Sequence, residues 1–214
     1  MGVWEREIMA LASMDEADRL RAYVYGVLAG FLARAPSDRL LRQAASFTGD
    51  DTPFGCALTA LAQAASVATP AQADREYHRL FIGVVRGELV PYASYYRTGF
   101  LHQRPLAHLR ADMQALGIAR APEVAEPEDH IAALCEMMAG LILGHFGVPA
   151  PLETQRDFFD RHLAPWGERF FTDLEQAEAA GLFRPVGTVG RLFMGIEADA
   201  FTLADRPAAR NDEK

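Results

Sequence analysis

The sequence predicts an all-α protein folded as a single helical bundle of about nine helices. Three observations carry this. Apolar residues recur at the spacing of one helix face, most clearly in Leu20, Tyr23, Val24, Val27, Leu28, Phe31 and Leu32. The segments are separated by helix caps and breakers rather than by hairpin turns. No stretch alternates apolar and polar residues long enough to predict a strand.

Element by element, Ser13 and Glu16 form a capping box before the first run, and Pro36 stops it. Ser37 caps a short second helix that ends near Gly49. An Ala-rich third helix runs from about Pro53 to Val67. Thr69-Pro70 supplies a cap and a first-turn proline for a fourth, which places Ala73, Tyr77, Leu80 and Phe81 on one side and ends at Gly83. Residues 84–99 carry Gly87, Pro91 and Gly99 and read as non-helical. A helix resumes near Pro105 and stops at Gly117, followed by a polar loop from Ala119 to Glu126. Pro127 opens the most apolar helix, with Ile131, Leu134, Met138, Leu141, Ile142 and His145 inward. Further helices cover roughly 152–163, 166–180 and 186–204. One domain over residues 1–206 with a polar tail at 207–214 is the expected organisation.

Composition excludes several functions. The net charge is −8 and the only lysine is Lys214, so the basic face of a nucleic-acid binder is missing. An acidic surface favours basic partners instead. Cys56 and Cys135 make neither a metal pattern nor a disulfide framework; both read as buried small hydrophobes and fit a reducing compartment. Acidic residues interrupt the N-terminal region where a secretory signal would need basic and then apolar stretches. The apolar region 131–148 contains Glu136, His145 and three glycines, which suits a core helix better than a membrane span. A cytoplasmic protein without membrane insertion is expected. A di-iron bundle would need Glu-x-x-His pairs, and the residues three before the six histidines are Arg75, Gly99, Pro105, Pro127, Ile142 and Phe159. No metal or cofactor is expected. Asp129 and His130 are adjacent on the chain and point about 100° apart on a helix, which does not make an oriented acid–base pair. Neither a nucleophile elbow nor a Gly-rich phosphate loop accompanies them, so no enzyme is expected.

Four patterns remain: Glu76-Tyr77-His78-Arg79-Leu80-Phe81, Pro91-Tyr92-Ala93-Ser94-Tyr95-Tyr96, Glu126-Pro127-Glu128-Asp129-His130 and His162-Leu163-Ala164-Pro165-Trp166. Each alone has a structural explanation, such as i, i+4 packing of Tyr77 on Phe81 or carboxylates complementing a helix start. In this order they resemble the TorD/DmsD/NarJ family of redox-enzyme maturation chaperones, and the resemblance spans about residues 20–200. The chain departs from the family pattern at Gly83-Val84, where Gly-Pro is frequent, and at Val90-Pro91, where Pro-Pro is frequent. Both departures affect loop shape.

The resemblance implies a chaperone for a molybdenum-containing oxidoreductase. It would bind the twin-arginine signal peptide, or an equivalent N-terminal segment, of the catalytic-subunit precursor and hold it for cofactor insertion before export. It implies a monomer or a domain-swapped dimer. Tyr77, Phe81, Tyr92, Ser94 and Tyr95, with Glu126, Glu128, Asp129 and His130, are the client-binding candidates; Glu123 adds to the acidic set. The chemistry agrees: an aromatic groove suits an apolar segment, and carboxylates accept the arginine fork. The alternatives are a helical adaptor without an exported client and, behind it, a helical-bundle enzyme.

Overall fold

The computed structural model describes residues 15–120 and 126–204. Ten α-helices are found among them, one more than the sequence suggests, and no strand. They are α1 (Glu16–Leu32), α2 (Asp38–Ala45), α3 (Pro53–Val67), α4 (Pro70–Tyr77), α5 (Ala93–Thr98), α6 (Arg104–Ala115), α7 (Ile131–Leu143), α8 (Leu152–His162), α9 (Gly167–Gln176) and α10 (Phe183–Ala204). A π-turn, His78–Ile82, continues α4. The most extensive packing pairs α1 with α7 and α9 with α10, and α10 also packs on α3 and α1. No single described helix is long and apolar enough to cross a membrane; α3 and the α4 segment reach that length only together, across a 115° bend.

Helix ends follow from their capping chemistry. Ser37, Thr52 and Thr69 each accept a backbone N–H from the first turn of α2, α3 and α4, and Thr69 forms a full capping box with Gln72. Ser13 lies outside the described residues; the α1 cap that is described is Asp15, whose side chain accepts from Ala17 N–H. Two boundaries differ from the expected ones. A short helix, α5, forms within the stretch expected to be irregular and ends on Gly99 in the left-handed conformation. The apolar helix α7 begins at Ile131 rather than Pro127, because the His130 side chain caps it by accepting from Ala132 N–H. It ends on left-handed Gly144, so His145 is exposed rather than inward.

Helix α1 buries Ala22, Tyr25, Val27, Leu28, Ala29, Phe31 and Leu32, while Leu20 and Tyr23 are exposed. The stripe is rotated from the expected one because α1 is covered from two sides, by α7 and α10. Cys135 is buried as expected. Cys56 is exposed, since α3 turns Gly55, Ala57, Leu61, Ala62 and Ala65 inward instead.

One buried ion pair ties the ends of this core together. Glu197 of α10 is fully buried and accepts from Arg21 Nε at 2.7 Å, from a second Arg21 nitrogen at 2.9 Å and from Tyr25 OH at 3.0 Å. Arg21 also reaches Asp18 and the Gln155 amide oxygen, so α1, α8 and α10 meet at one point. Burial pushes the Tyr25 phenol well above its ordinary range, so it stays a donor. Removing one partner of such a pair leaves an uncompensated buried charge. Glu197→Ala is therefore expected to destabilise by about 3–5 kcal/mol in urea unfolding, and Glu197→Gln by less because it retains an acceptor for Tyr25. A loss below about 1 kcal/mol for the alanine variant would place this pair among surface-like pairs of no consequence.

Candidate functional site

The four sequence patterns separate into two groups. The His162 pattern is structural: the His162 ring meets Asp112 at 2.8 Å, joining α8 to α6, and Trp166 Nε1 donates to the His162 carbonyl at 2.7 Å. The other three converge on a cavity of about 600 Å³ between the π-turn, the Pro91 loop and one face of α7. Its walls include Tyr77, Phe81, Ile82, Tyr92, His130 and Met137, with Glu126 and Glu136 among its charged lining.

The aromatic wall is built on the π-turn. Tyr77 and Phe81 have ring centroids 4.9 Å apart, and both rings lean on Phe183. Tyr77 is 9% exposed and donates its hydroxyl to the Leu32 carbonyl at 3.2 Å, fixing the wall to the end of α1. The returning strand of the loop crosses so close that a Cβ on Gly87 would lie 2.6 Å from the Leu80 carbonyl oxygen; only glycine fits there. Two carboxylates hold this segment from outside. Glu76 accepts the N–H groups of Gly181, Leu182 and Phe183, and Glu88 accepts those of Glu178 and Ala179. They satisfy donors at the α9–α10 turn that would otherwise lack partners.

The opposite wall is set by an isolated antiparallel bridge between Tyr92 and His130. Ala93 N–H donates to the Asp129 carbonyl, and Ile131 N–H to the Pro91 carbonyl, both at 2.9 Å. The Tyr92 ring meets His130 edge-on with centroids 5.0 Å apart, and its hydroxyl donates to Glu126. Burial first, and the neighbouring Glu126 next, raise the Tyr92 phenol above its ordinary range. His130 is 8% exposed, and burial lowers its pKa from 6.5 to about 4. Since Nδ1 accepts from Ala132 N–H, the neutral ring carries its proton on Nε2. It offers a ligand a neutral donor, not a charge.

The candidate residues are thus placed differently. Tyr77, Phe81, Tyr92, Glu126, Glu128 and His130 line the cavity. Ser94 is fully buried; its N–H donates to Asp129 Oδ2 at 2.8 Å and its hydroxyl accepts from Gln103 N–H. Asp129 is 1% exposed, not partly exposed as its place beside a polar loop suggests; its Oδ1 has no hydrogen-bond partner. Tyr95 lies in a different depression with Tyr96 and Arg169, and accepts from Arg86 at 3.1 Å. Glu128 lines the cavity but is ion-paired with Arg110 and Arg120, which hold its carboxyl below the usual range against the burial that would raise it. Glu123 lies outside the described residues. The acid that the sequence reading passed over is Glu136, which reads as an isolated polar residue in a core helix. Its spacing of three and four from Ala133 and Gly140 is the signal that it shares their small-residue face. Partial burial raises its carboxyl, opposed by nearby Arg34. Among the described residues no cluster of His, Cys, Asp and Glu could hold a metal ion.

His130 gives the site an acid limit. Below its unfolded value of 6.5 the unfolded chain binds a proton that the folded chain, with a value of about 4, refuses. Stability contributed by the neutral ring is complete above pH 6.5 and is lost as pH falls toward 4, by at most about 1.4 kcal/mol per pH unit. His130→Asn keeps an N-cap acceptor and removes the titration. Its urea midpoint relative to the parent is expected to rise between pH 7 and pH 4.5; a difference independent of pH would contradict the assignment.

The residues that line this cavity fall mostly within a stretch that known proteins share. The model of the nitrate reductase delta subunit family matches residues 48–172, more than half of the chain. The chaperone protein TorD of Vibrio cholerae is 29% identical over 122 residues, which cover 54% of this chain and 56% of that protein. TorD of Aliivibrio fischeri is 27% identical over 132 residues, 58% of this chain and 60% of that one. The chain therefore spans little more than half the length of these relatives. A solved structure described as a redox enzyme maturation protein, from Archaeoglobus fulgidus, superposes with a TM-score of 0.55 at 21% identity over 82% of this chain and 93% of that one, and so shares the fold. With its helical bundle, its ordered motifs and the family match, the chain belongs to the nitrate reductase delta subunit family, the NarJ/TorD family.

Proposed function

We propose that the protein is a cytoplasmic, non-catalytic chaperone of redox-enzyme maturation. It binds the twin-arginine signal peptide or N-terminal segment of a molybdenum-containing oxidoreductase precursor before export, in the cavity between the π-turn and α7. The observation that carries the reading is the composition of that cavity. An apolar wall of Tyr77, Phe81 and Ile82 faces α7 and the segment leading into it, whose exposed carboxylates are Glu136 on the helix and Glu126 before it. A segment with basic residues beside an apolar run is complementary to both features. The relatives are named chaperones, which is consistent with binding rather than turnover.

Magnitudes assign the roles. An exposed charge pair contributes at most about 1 kcal/mol. Burying one Leu or Phe side chain contributes roughly 1.5–3 kcal/mol. The apolar wall then sets most of the affinity, and the carboxylates set orientation and encounter rate. A synthetic twin-arginine peptide is expected to lose modest affinity when its arginines become lysines and far more when its apolar residues become serines. Ile82→Ser, a change at an exposed position, should weaken the parent peptide roughly 5–30-fold without changing the melting temperature, while Glu126→Gln with Glu136→Gln should mainly slow association at low salt. Equal binding of the serine peptide, or indifference to Ile82→Ser, would move recognition elsewhere on the surface.

A further inference from the structure

The far end of the cavity is already occupied by the chain itself. Phe146 lines the cavity with Glu136 and Met137, and its ring lies on the backbone of α7 at Gly140. A Cβ built on Gly140 would come within 2.6 Å of two ring carbons, so the ring fills the notch that the missing side chain leaves. Yet the fit is incomplete, for Phe146 remains 36% exposed. The turn that carries it lies between two glycines with positive φ, Gly144 at 78° and Gly147 at 139°. Gly144 N–H donates to the Gly140 carbonyl, and Gly147 N–H to the Gly144 carbonyl. Val148, just beyond, is exposed. Phe146 is therefore an aromatic side chain seated in an apolar notch from a glycine-flanked turn with little else to bury.

Resting on the functional reading above, we infer that the Gly140 notch is the anchor subsite for one large apolar side chain, Phe or Leu, of the bound segment, and that Phe146 fills it in the free protein. Glu136 lies one helical turn before Gly140, about 6 Å along the axis. The segment that fits both carries a basic side chain about one turn's length from its apolar anchor. His130, at the other end of the cavity, is ten residues from Gly140, about 15 Å along α7, so a bound helix of about ten residues spans the groove. Occupation by Phe146 lowers the apparent affinity of any competitor by the fraction of time the notch is filled. The chain's own ring thereby selects for segments whose anchor displaces it.

The test uses an uncharged aromatic dye, N-phenyl-1-naphthylamine, and the synthetic twin-arginine peptide, each titrated against the full chain. Phe146→Ala is expected to bind the dye at least about threefold more tightly than the parent. Adding Gly140→Leu, which fills the vacated notch, should return binding to the parent level or below. If that double variant does not fold, Phe146→Ala with Gly140→Ala should show the same direction at smaller size. The peptide should gain from Phe146→Ala, and the version with serines at its apolar positions should not. No gain in dye binding, a double variant as tight as Phe146→Ala, or an equal gain by the serine peptide would overturn the subsite. A peptide that binds neither parent nor Phe146→Ala overturns the functional reading, and with it the client's part in this inference, whatever the dye does.

Discussion

The site depends on a two-residue antiparallel bridge inside an otherwise helical protein. Tyr92 and His130 are separated by 37 residues that include two helices, α5 and α6, and two backbone hydrogen bonds beside them lock the Pro91 loop to the start of α7. Asp129 completes the joint from within: its carbonyl takes Ala93 N–H and its carboxylate takes Ser94 N–H, so α5 begins on donors satisfied by the residue that precedes the His130 cap. Each such bond contributes a net of only about 1 kcal/mol, but an unpaired buried N–H costs about 1–3 kcal/mol. The arrangement is held less by attraction than by the penalty for leaving it. Asp129 and Ser94 accordingly support the cavity wall from behind, and Tyr92 and His130 face the cavity.

Where the carboxylates are engaged decides which remain for a partner. Glu197 is consumed by Arg21 and Tyr25, Glu175 by Arg191 and Thr188, Glu128 by Arg110 and Arg120, and Glu76 and Glu88 by backbone donors near α10. The net charge of −8 therefore says little about the groove by itself. Glu126 and Glu136 differ from these because they are exposed beside an apolar wall. His130, which lines the same cavity, is neutral and adds no opposing charge across the physiological range. A cation entering there meets no histidinium, but it shares the cavity with Arg34 and Arg120, and Glu126 already accepts from the Tyr92 hydroxyl.

The helical architecture was legible because it rests on local chemistry. Thr69-Pro70 and Ser37 announce helix starts through groups within three residues, and the structure places caps at both and a further one at Thr52, before the expected start at Pro53. The features that escaped are those fixed from a distance. Helix α5 forms in a proline- and glycine-bounded aromatic stretch because Asp129, 35 residues away, satisfies its first turn. The start of α7 shifted from Pro127 to Ile131 because His130 caps rather than continues the helix. Within the candidate site, the i, i+4 spacing of Tyr77 and Phe81 predicts only that they pack on each other, as they do, and the family resemblance is what marks them as site candidates. Tyr95 sits next to Tyr96 in sequence, three residues past Tyr92, yet the turn of α5 carries it into a separate depression. Glu136 carries only the faint signal of its spacing from Ala133 and Gly140, and Phe146 carries none, since its seat on Gly140 is an absence of side chain that only the folded chain converts into space.

The two sides of the cavity are therefore unequal in what sustains them. Its floor is α7, which buries ten of its thirteen residues and packs along α1, so the Ala132, Ala133 and Gly140 surface cannot shift without opening the core. Its roof consists of the π-turn, anchored by Tyr77 and by Glu76 and Glu88 but ending in exposed Ile82, Val84 and Val85, and of the glycine-flanked turn bearing Phe146. Segments that bury little open at low free energy, and segments packed in the core do not. A segment bound as proposed would be positioned by a rigid floor and enclosed by a roof with less buried surface to hold it. That division suits recognition of a general pattern, charge beside apolar bulk, better than recognition of one sequence: the floor fixes the distance between carboxylate and notch, and the roof tolerates what lies between.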